Sequence, residues 1–113
     1  MVRVGIIGTG RSAGTHAQAL LNNKNCEVVC VAGREPAHIE SFANHFRIPQ
    51  VTTVSQLVQS LDVDAVVFAV PPSFQSEFAI NAFAAGKHVL CEKPLAVTYL
   101  EATKVAESWR KSS

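Results

Sequence analysis

Gly8-Thr9-Gly10-Arg11-Ser12-Ala13 is the stretch of this sequence that decides the fold. It matches the pattern G-x-G-x-x-G/A, follows the apolar run Val2–Ile7, and precedes residues at helical spacing. In a strand–loop–helix unit, Gly8 permits a tight turn, Gly10 lets a phosphate approach the backbone, and Ala13 lets the helix pack closely on the strand. The free N–H groups at the start of the helix would then meet the phosphates of a dinucleotide. A glycine-rich turn that binds nothing is the alternative, and the strand and helix context disfavours it.

Strand-like and helix-like segments alternate along the whole chain. The predicted strands are Val2–Ile7, Val28–Ala32, Val51–Val54, Ala65–Val70 and His88–Cys91. The predicted buried helix faces are Ala13, Ala17, Leu20 and Leu21; Ile39, Phe42, Ala43 and Phe46; Leu57, Val58 and Leu61; Phe74, Phe78, Ala82 and Phe83; and Ala102, Val105, Ala106 and Trp109. Ser55 is expected to cap the third helix, and Thr98 with Glu101 to form a capping box at the last. Apolar strands without alternation predict a doubly wound parallel α/β sheet in three layers.

Composition narrows the range of partners. The 113 residues are 48% hydrophobic and 17% charged, with a formal net charge of +1, which fits one domain over residues 1–113. The scattered Lys and Arg residues argue against nucleic acid or an anionic membrane as partner. The sequence has no signal peptide and no apolar run near the ~20 residues of a membrane helix, so a cytoplasmic location is expected. Cys26, Cys30 and Cys91 predict reduced thiols, and no metal site is expected because ligand spacing is absent.

The end of the second predicted strand indicates which dinucleotide binds. The glycine-rich pattern expects an acidic residue about 20 positions further on, where it would hold the ribose hydroxyls of NAD. Gly33 stands at that place and Arg34 follows it. A missing carboxylate removes repulsion against a 2′-phosphate, and a guanidinium offers it a fork-shaped partner. We therefore expect NADP, with NAD as the alternative because Glu35 could turn inward.

Four segments together resemble the Gfo/Idh/MocA oxidoreductases, which include glucose–fructose oxidoreductase, inositol dehydrogenase and dihydrodiol dehydrogenase. They are Gly5-Ile6-Ile7-Gly8-Thr9-Gly10 with His16, Asp62-Val63-Asp64-Ala65-Val66-Val67, Ala69-Val70-Pro71-Pro72, and Ala85-Gly86-Lys87-His88-Val89-Leu90-Cys91-Glu92-Lys93-Pro94-Leu95-Ala96. The last segment, with its Glu-Lys-Pro, is the most specific. The resemblance covers nearly the whole chain and implies a Rossmann-type fold.

The resemblance also implies roles for individual residues. Lys93 would be catalytic, assisting proton transfer at the substrate hydroxyl, and Pro94 would fix the turn that aims it. Two departures are Pro72 and Gln75, which stand where many members have Asn and His. The residues expected around the cofactor are Gly8, Thr9, Gly10, Arg11, Ser12, Ala13, Gly33, Arg34, Val70, Pro71, Pro72, Gln75, Glu92, Lys93 and Pro94.

Lys93 and His16 each have a plainer interpretation. A lysine at the carboxyl end of a parallel strand lies in the ligand crevice, where desolvation can lower its pKa. The alternative for Lys93 is an exposed lysine paired with Glu92. His16 is expected to pack near the loop as an ordinary helix residue.

Family members are much longer, with a second domain that supplies the substrate pocket. The sheet is therefore expected to be incomplete at its C-terminal end, with five strands of six. The first hypothesis is the NADP-binding domain of an oxidoreductase that acts on a sugar, polyol or related hydroxyl or carbonyl compound, with no turnover from this chain alone. The alternatives are a non-catalytic dinucleotide-binding module and a truncated fragment that binds nucleotide weakly and self-associates; homo-oligomerisation stays open.

Overall fold

A parallel sheet forms the centre of the computed structural model, which describes residues 1–112. Its strands are β1 (Val2–Ile7), β2 (Cys26–Ala32), β3 (Gln50–Val51), β4 (Ala65–Phe68) and β5 (His88–Cys91). Their spatial order is β3-β2-β1-β4-β5, and all four neighbouring pairs run parallel. The expected doubly wound sheet is confirmed, because the order reverses direction on either side of β1.

Helices cover both faces of the sheet. They are α1 (Arg11–Leu21), α2 (Pro36–Phe46), α3 (Val54–Gln59), α4 (Pro72–Ala84) and α5 (Tyr99–Lys111). One apolar core contains Ala13 and Ala17 of α1 with Ile39 of α2, and the other contains Leu57 of α3 with Val105 of α5. This arrangement gives the three layers that the unbroken apolar strands predict. Within residues 1–112, none of the helices is both long and apolar enough to cross a bilayer.

Two predicted boundaries in the middle of the chain are wrong. β3 ends at Val51, and α3 begins at Val54, where a continued strand was predicted. Thr53 caps this helix, not Ser55: the N–H of Gln56 donates to Thr53 Oγ1 at 3.1 Å, and the Gln56 side chain bonds the Thr53 N–H in return. A capping box fixes the helix start more firmly than an isolated serine can, because it satisfies two backbone donors at once.

Several predicted core positions are exposed. The side chains of Leu21, Leu61, Phe74 and Trp109 are 47%, 90%, 39% and 61% exposed. Leu61 lies beyond the end of α3, whereas Trp109 lies on α5, whose fully buried residue is Val105. On helix α4, Ala82 is buried as predicted and Phe78 and Phe83 pack partly buried against the core, whereas the other fully buried residues are Gln75 and Ala79, which were not predicted.

Strand β4 ends earlier than the sequence indicated, and the cap of α5 is half of the expected box. β4 ends at Phe68, two residues before Val70. At α5, the N–H of Glu101 donates to Thr98 Oγ1 at 3.1 Å. The Glu101 carboxylate instead accepts from the hydroxyl of Ser76 on α4 at 3.5 Å, so that it joins two helices.

The amino ends of the strands are held by charged side chains. The backbone N–H of Arg3 on β1 donates to Asp64 Oδ2 at 2.9 Å, and Arg3 Nη2 donates to Oδ1 at 3.0 Å. These bonds lower the pKa of Asp64 to about 2, the side-chain bond most. Lys87 Nζ donates to the carbonyl of Val63 at 2.6 Å and to that of Ser60. At the opposite, carboxyl ends of the strands, the loops after β1, β2, β4 and β5 begin.

Candidate dinucleotide site

Loops from β1, β2, β4 and β5 meet at the carboxyl edge of the sheet. Backbone bonds fix their starts: the N–H of Gly8 donates to Ala32 O at 2.9 Å, and that of Ala69 donates to Ile7 O at 2.9 Å. The N–H of Glu92 donates to the carbonyl of Phe68 at 3.1 Å. The strand order reverses between β1 and β4, and in open α/β sheets this is the place where ligands bind.

The loop after β1 has the geometry of an anion-binding turn. Gly8 has φ +117°, and a β-carbon there would collide with the carbonyl oxygen of Ala69. Gly10 is the N-cap of α1, no side chain caps the helix, and the first turn contains no acidic residue. A β-carbon on Gly10 would face open space. The N–H groups at this helix end therefore stay available to a phosphate.

Ala13 lies beneath this loop with no exposed surface and belongs to the core between α1 and the sheet. Its small side chain lets α1 pack against the sheet directly behind the glycines, which is the part that the sequence pattern assigns to it. The neighbouring Thr9 is half-buried, whereas Arg11 and Ser12 are exposed at the start of the helix.

The loop after β2 presents a cation. Arg34 is exposed, and its guanidinium carbon lies 5.7 Å from the centre of the Phe74 ring. A β-carbon on Gly33 would lie 3.2 Å from Ile39 Cγ1 and 3.3 Å from Thr9 Cγ2, so this position is crowded as well as uncharged. Glu35 is exposed and begins α2 as its N-cap.

The loop after β5 carries Glu92 and Lys93. The carboxylate of Glu92 is paired with His16 Nε2 on α1, so the pairing with Lys93 that the sequence left open is not formed. Hydrogen bonds from His16, and then from Ser12, lower the pKa of Glu92. Lys93 is exposed, and the Lys93–Pro94 peptide is cis. Sequence reasoning missed the part of His16, because its partner lies 76 residues away.

Gln75 supports that loop from below. Its side chain is 1% exposed, and Nε2 donates to the carbonyl of Glu92 at 2.7 Å and to that of Pro94 at 3.0 Å. Its Oε1 has no hydrogen-bond partner among the described residues. In this conformation Gln75 holds the two carbonyls on either side of Lys93.

The turn after β4 lies between the glycine-rich loop after β1 and the loop after β5, because β4 lies between those strands in the sheet. Val70 is half-buried against the second core, Pro71 is exposed, and Pro72 is the first residue of α4. Phe74 follows in the first turn of the helix, where its N–H donates to the carbonyl of Pro71 at 3.0 Å. Sequence reasoning placed Phe74 in the core; an aromatic residue two positions after the Pro-Pro pair that follows β4 was the available signal that it lies near the carboxyl edge of the sheet.

A cavity of about 350 Å³ opens beside the glycine-rich loop, between α1 and α2. It is lined by Thr9, Gly10, Gly14, His38, Ser41, Phe42, His45 and Phe46. Within residues 1–112, no group of three or more His, Cys, Asp or Glu side chains could hold a metal ion. The arrangement is one of backbone donors, two arginines (Arg11 and Arg34) and one lysine around a crevice.

Comparisons with known proteins agree with this geometry. The family model GFO_IDH_MocA, described as an oxidoreductase family with an NAD-binding Rossmann fold, matches residues 2–113. The dTDP-3,4-didehydro-2,6-dideoxy-alpha-D-glucose 3-reductase of Saccharopolyspora spinosa is 34% identical over 113 residues, which are 99% of this chain and 34% of that protein.

Two solved structures are similar in fold and in sequence. Biliverdin reductase from Synechocystis, in complex with biliverdin and NADP+, has a TM-score of 0.93 and 32% identity over 98% of this chain and 35% of its own. A 3-ketoreductase from Actinomadura kijaniata, in complex with TDP-benzene and NADP, has a TM-score of 0.91 and 32% identity over the same shares. The chain thus spans about a third of the length of these relatives.

Proposed function

Because this chain belongs to the Gfo/Idh/MocA oxidoreductase family, whose model matches it as an NAD-binding Rossmann fold, we propose that it binds NADP in preference to NAD. The observation that carries this proposal is Arg34, exposed at the carboxyl end of β2 directly after the crowded, uncharged Gly33. A 2′-phosphate on the adenosine ribose would meet a guanidinium there, and Gly33 supplies no carboxylate to repel it. The NADP bound in the two similar structures supports the same preference.

The residues present fit a dinucleotide. The backbone at Gly8 and Gly10 leaves space for the pyrophosphate, and the uncapped N-terminus of α1 supplies donors and a partial positive charge. The bound nicotinamide would supply the hydride chemistry. The cofactor-contacting set predicted from the sequence, Gln75 included, remains a proposal; in the structure Gln75 is buried and donates to the carbonyl of Glu92.

We propose that Lys93 assists proton transfer at the substrate hydroxyl. Its exposed side chain follows β5 at the edge of the sheet where the cofactor would lie. Glu92 does not neutralise it, since that carboxylate is paired with His16. The backbone beneath Lys93 is held on both sides by Gln75.

The proposed substrate is a sugar, a polyol or a related hydroxyl or carbonyl compound. The sugar reductase of Saccharopolyspora spinosa and a glucose-6-phosphate 3-dehydrogenase of Bacillus subtilis, 34% identical over 113 residues, support this class. Since the chain covers about a third of these proteins, we propose that the domain that recognises the substrate lies outside residues 1–113. A cytoplasmic location is proposed because no cysteine in the described part of the chain is bonded to another.

Titration of the chain with NADPH and NADH, followed by cofactor fluorescence, tests the proposal. We expect tighter binding of NADPH, and Arg34→Ala should weaken NADPH binding by about tenfold or more while leaving NADH binding nearly unchanged. Arg110→Ala, which removes an exposed arginine near the end of α5, is the matched control. Equal or tighter binding of NADH by the unaltered chain would refute the preference. A polyol panel assayed for turnover on a protein that joins this chain to the proposed substrate domain separates the oxidoreductase from a module that binds nucleotide only.

A further inference from the structure

Phe74 and Arg34 form a contact that bridges the candidate site. Arg34 follows β2 and Phe74 lies in the first turn of α4 after β4, so the end of β1 and its glycine-rich loop lie between them in the sheet order. The distance of 5.7 Å from the guanidinium carbon to the ring centre is within the range of a cation–π interaction. A cation is thus held over an aromatic face at the edge where an adenosine would bind.

The Phe74 ring is anchored although it is 39% exposed. It stacks on Phe78 with ring centres 6.2 Å apart and an interplanar angle of 16°. Phe78 in turn stacks on Phe68 at 6.1 Å, and Phe68 is fully buried. Three stacked rings therefore connect the core to the surface, and offset stacking of this kind restrains the outermost ring.

Arg34 lacks any other strong restraint in the structure. It forms no ion pair with any residue in the range 1–112. A long arginine side chain that is free in solution loses conformational entropy when it binds an anion. A ring that holds the guanidinium through its face leaves the N–H donors at the edge free for a phosphate.

We propose that Phe74 is a positioning residue for cofactor specificity: it holds Arg34 in place for the 2′-phosphate of NADP. This inference rests on the proposed NADP binding. The ring acts through Arg34, so its removal should affect the cofactor with the phosphate and spare the one without it. A ring that instead stacked directly on adenine would affect both cofactors equally, because both carry adenine.

Dissociation constants of NADP+ and NAD+ for the full chain and its variants test the proposal. Phe74→Leu should weaken NADP+ binding about two- to fivefold, the worth of an exposed cation–π contact, and leave NAD+ binding unchanged. Phe74→Tyr, which keeps the aromatic face, should retain the original ratio. In an Arg34→Met background, Phe74→Leu should have no further effect on the ratio. Phe83→Leu, at the far end of the same helix, is the control for helix packing.

The outcomes separate this inference from the proposed function. If the unaltered chain prefers NADP+ and Phe74→Leu keeps that ratio, or weakens both cofactors equally, the positioning inference is overturned and the proposed function stands. If the unaltered chain prefers NAD+, the proposed function itself fails and the inference fails with it. A selective loss of NADP+ that disappears in the Arg34→Met background supports both.

Discussion

The imidazole of His16 on α1 is hydrogen-bonded to the carboxylate of Glu92, which follows β5 and lies 76 residues further along the chain. The bond links the helix that begins at the glycine-rich loop to the loop that carries Lys93. The glycine-rich loop and the loop after β5 are therefore connected through this bond, and a substitution at either residue should affect the other residue.

We expect His16→Leu to raise the pKa of Glu92 toward its ordinary value, because the bond with His16 is the largest cause of its lowered pKa. A carboxyl whose folded pKa is lowered stabilises the fold above its ordinary pKa, and this stabilisation is lost as pH falls through the folded value. Carbon NMR of the Glu92 carboxyl during a pH titration measures the change. His38→Leu, which changes an exposed histidine of α2, should leave the titration of Glu92 unchanged. If the pKa of Glu92 does not rise in His16→Leu, the interpretation is contradicted.

Gln75→Met should destabilise the chain by about 1–3 kcal/mol, because two loop carbonyls lose their donor and the side chain is 1% exposed. Urea denaturation measures the loss. Gln59→Met, at an exposed position of α3, should change stability by no more than about 0.5 kcal/mol. Faster amide exchange around Lys93 in Gln75→Met would show that the loop itself is loosened, whereas unchanged exchange there would argue against a supporting role.

Two glycines of the same loop should respond differently to alanine. Gly8→Ala should destabilise the fold, because φ is +117° and the new methyl group meets the Ala69 carbonyl. Gly10→Ala should fold normally, since its β-carbon faces open space, yet bind NADPH much more weakly because the methyl group occupies the approach of the pyrophosphate. Thermal unfolding and cofactor titration on both variants check this. Undiminished binding by Gly10→Ala would remove the pyrophosphate from this loop.

The Arg3–Asp64 contact should make the free energy of unfolding depend on pH in the acidic range. The pKa of Asp64 is about 2 in the folded chain against an ordinary value of 3.8, so its contribution is complete above about pH 4 and is lost between pH 4 and 2. Asp64→Asn should therefore lower the free energy of unfolding at neutral pH. Its difference from the unaltered chain should shrink as pH falls toward 2, as urea denaturation at several pH values would show. A difference that does not vary with pH would show that the substitution acts through packing and not through the charge of Asp64.

Thr53→Ala should cost about 0.5–2 kcal/mol, because Thr53 Oγ1 caps α3 through the N–H of Gln56. Ser55→Ala, two residues into the exposed start of the same helix, should have little effect. Chemical denaturation of the pair decides between the two caps. A larger loss for Ser55→Ala would restore the cap that the sequence pattern first indicated.

Much of the fold could be predicted from the sequence, because the signals are local. Runs such as Val2–Ile7 are apolar throughout since helices cover both sides of the sheet, and the loop at Gly8 has a distinctive pattern. The sequence positions of Gly33 and Arg34 follow from the distance to that loop. These features need no knowledge of which strands are neighbours.

The rest depends on tertiary contacts. Helix α4 has apolar residues on most of its circumference, so periodicity could not show that Gln75 is buried and Phe74 exposed. Gln75 can be buried there because its amide donates hydrogen bonds to two backbone carbonyls. Those carbonyls belong to a loop that is distant in the sequence. The contacts of Phe74 with Arg34 and of His16 with Glu92 likewise exist only because the strand order brings four loops to one edge.

The central position of β1 in the sheet determines when the crevice can form during synthesis on the ribosome. β1 is synthesised before the other four strands, yet it completes its pairing only with β4, which begins directly after Asp64, 61 residues after Arg3. Lys93 emerges later still. The nascent chain therefore lacks this crevice until the loop after β5 has been translated, so a dinucleotide cannot act as a template for the early strands and can stabilise only a chain in which all five strands are present.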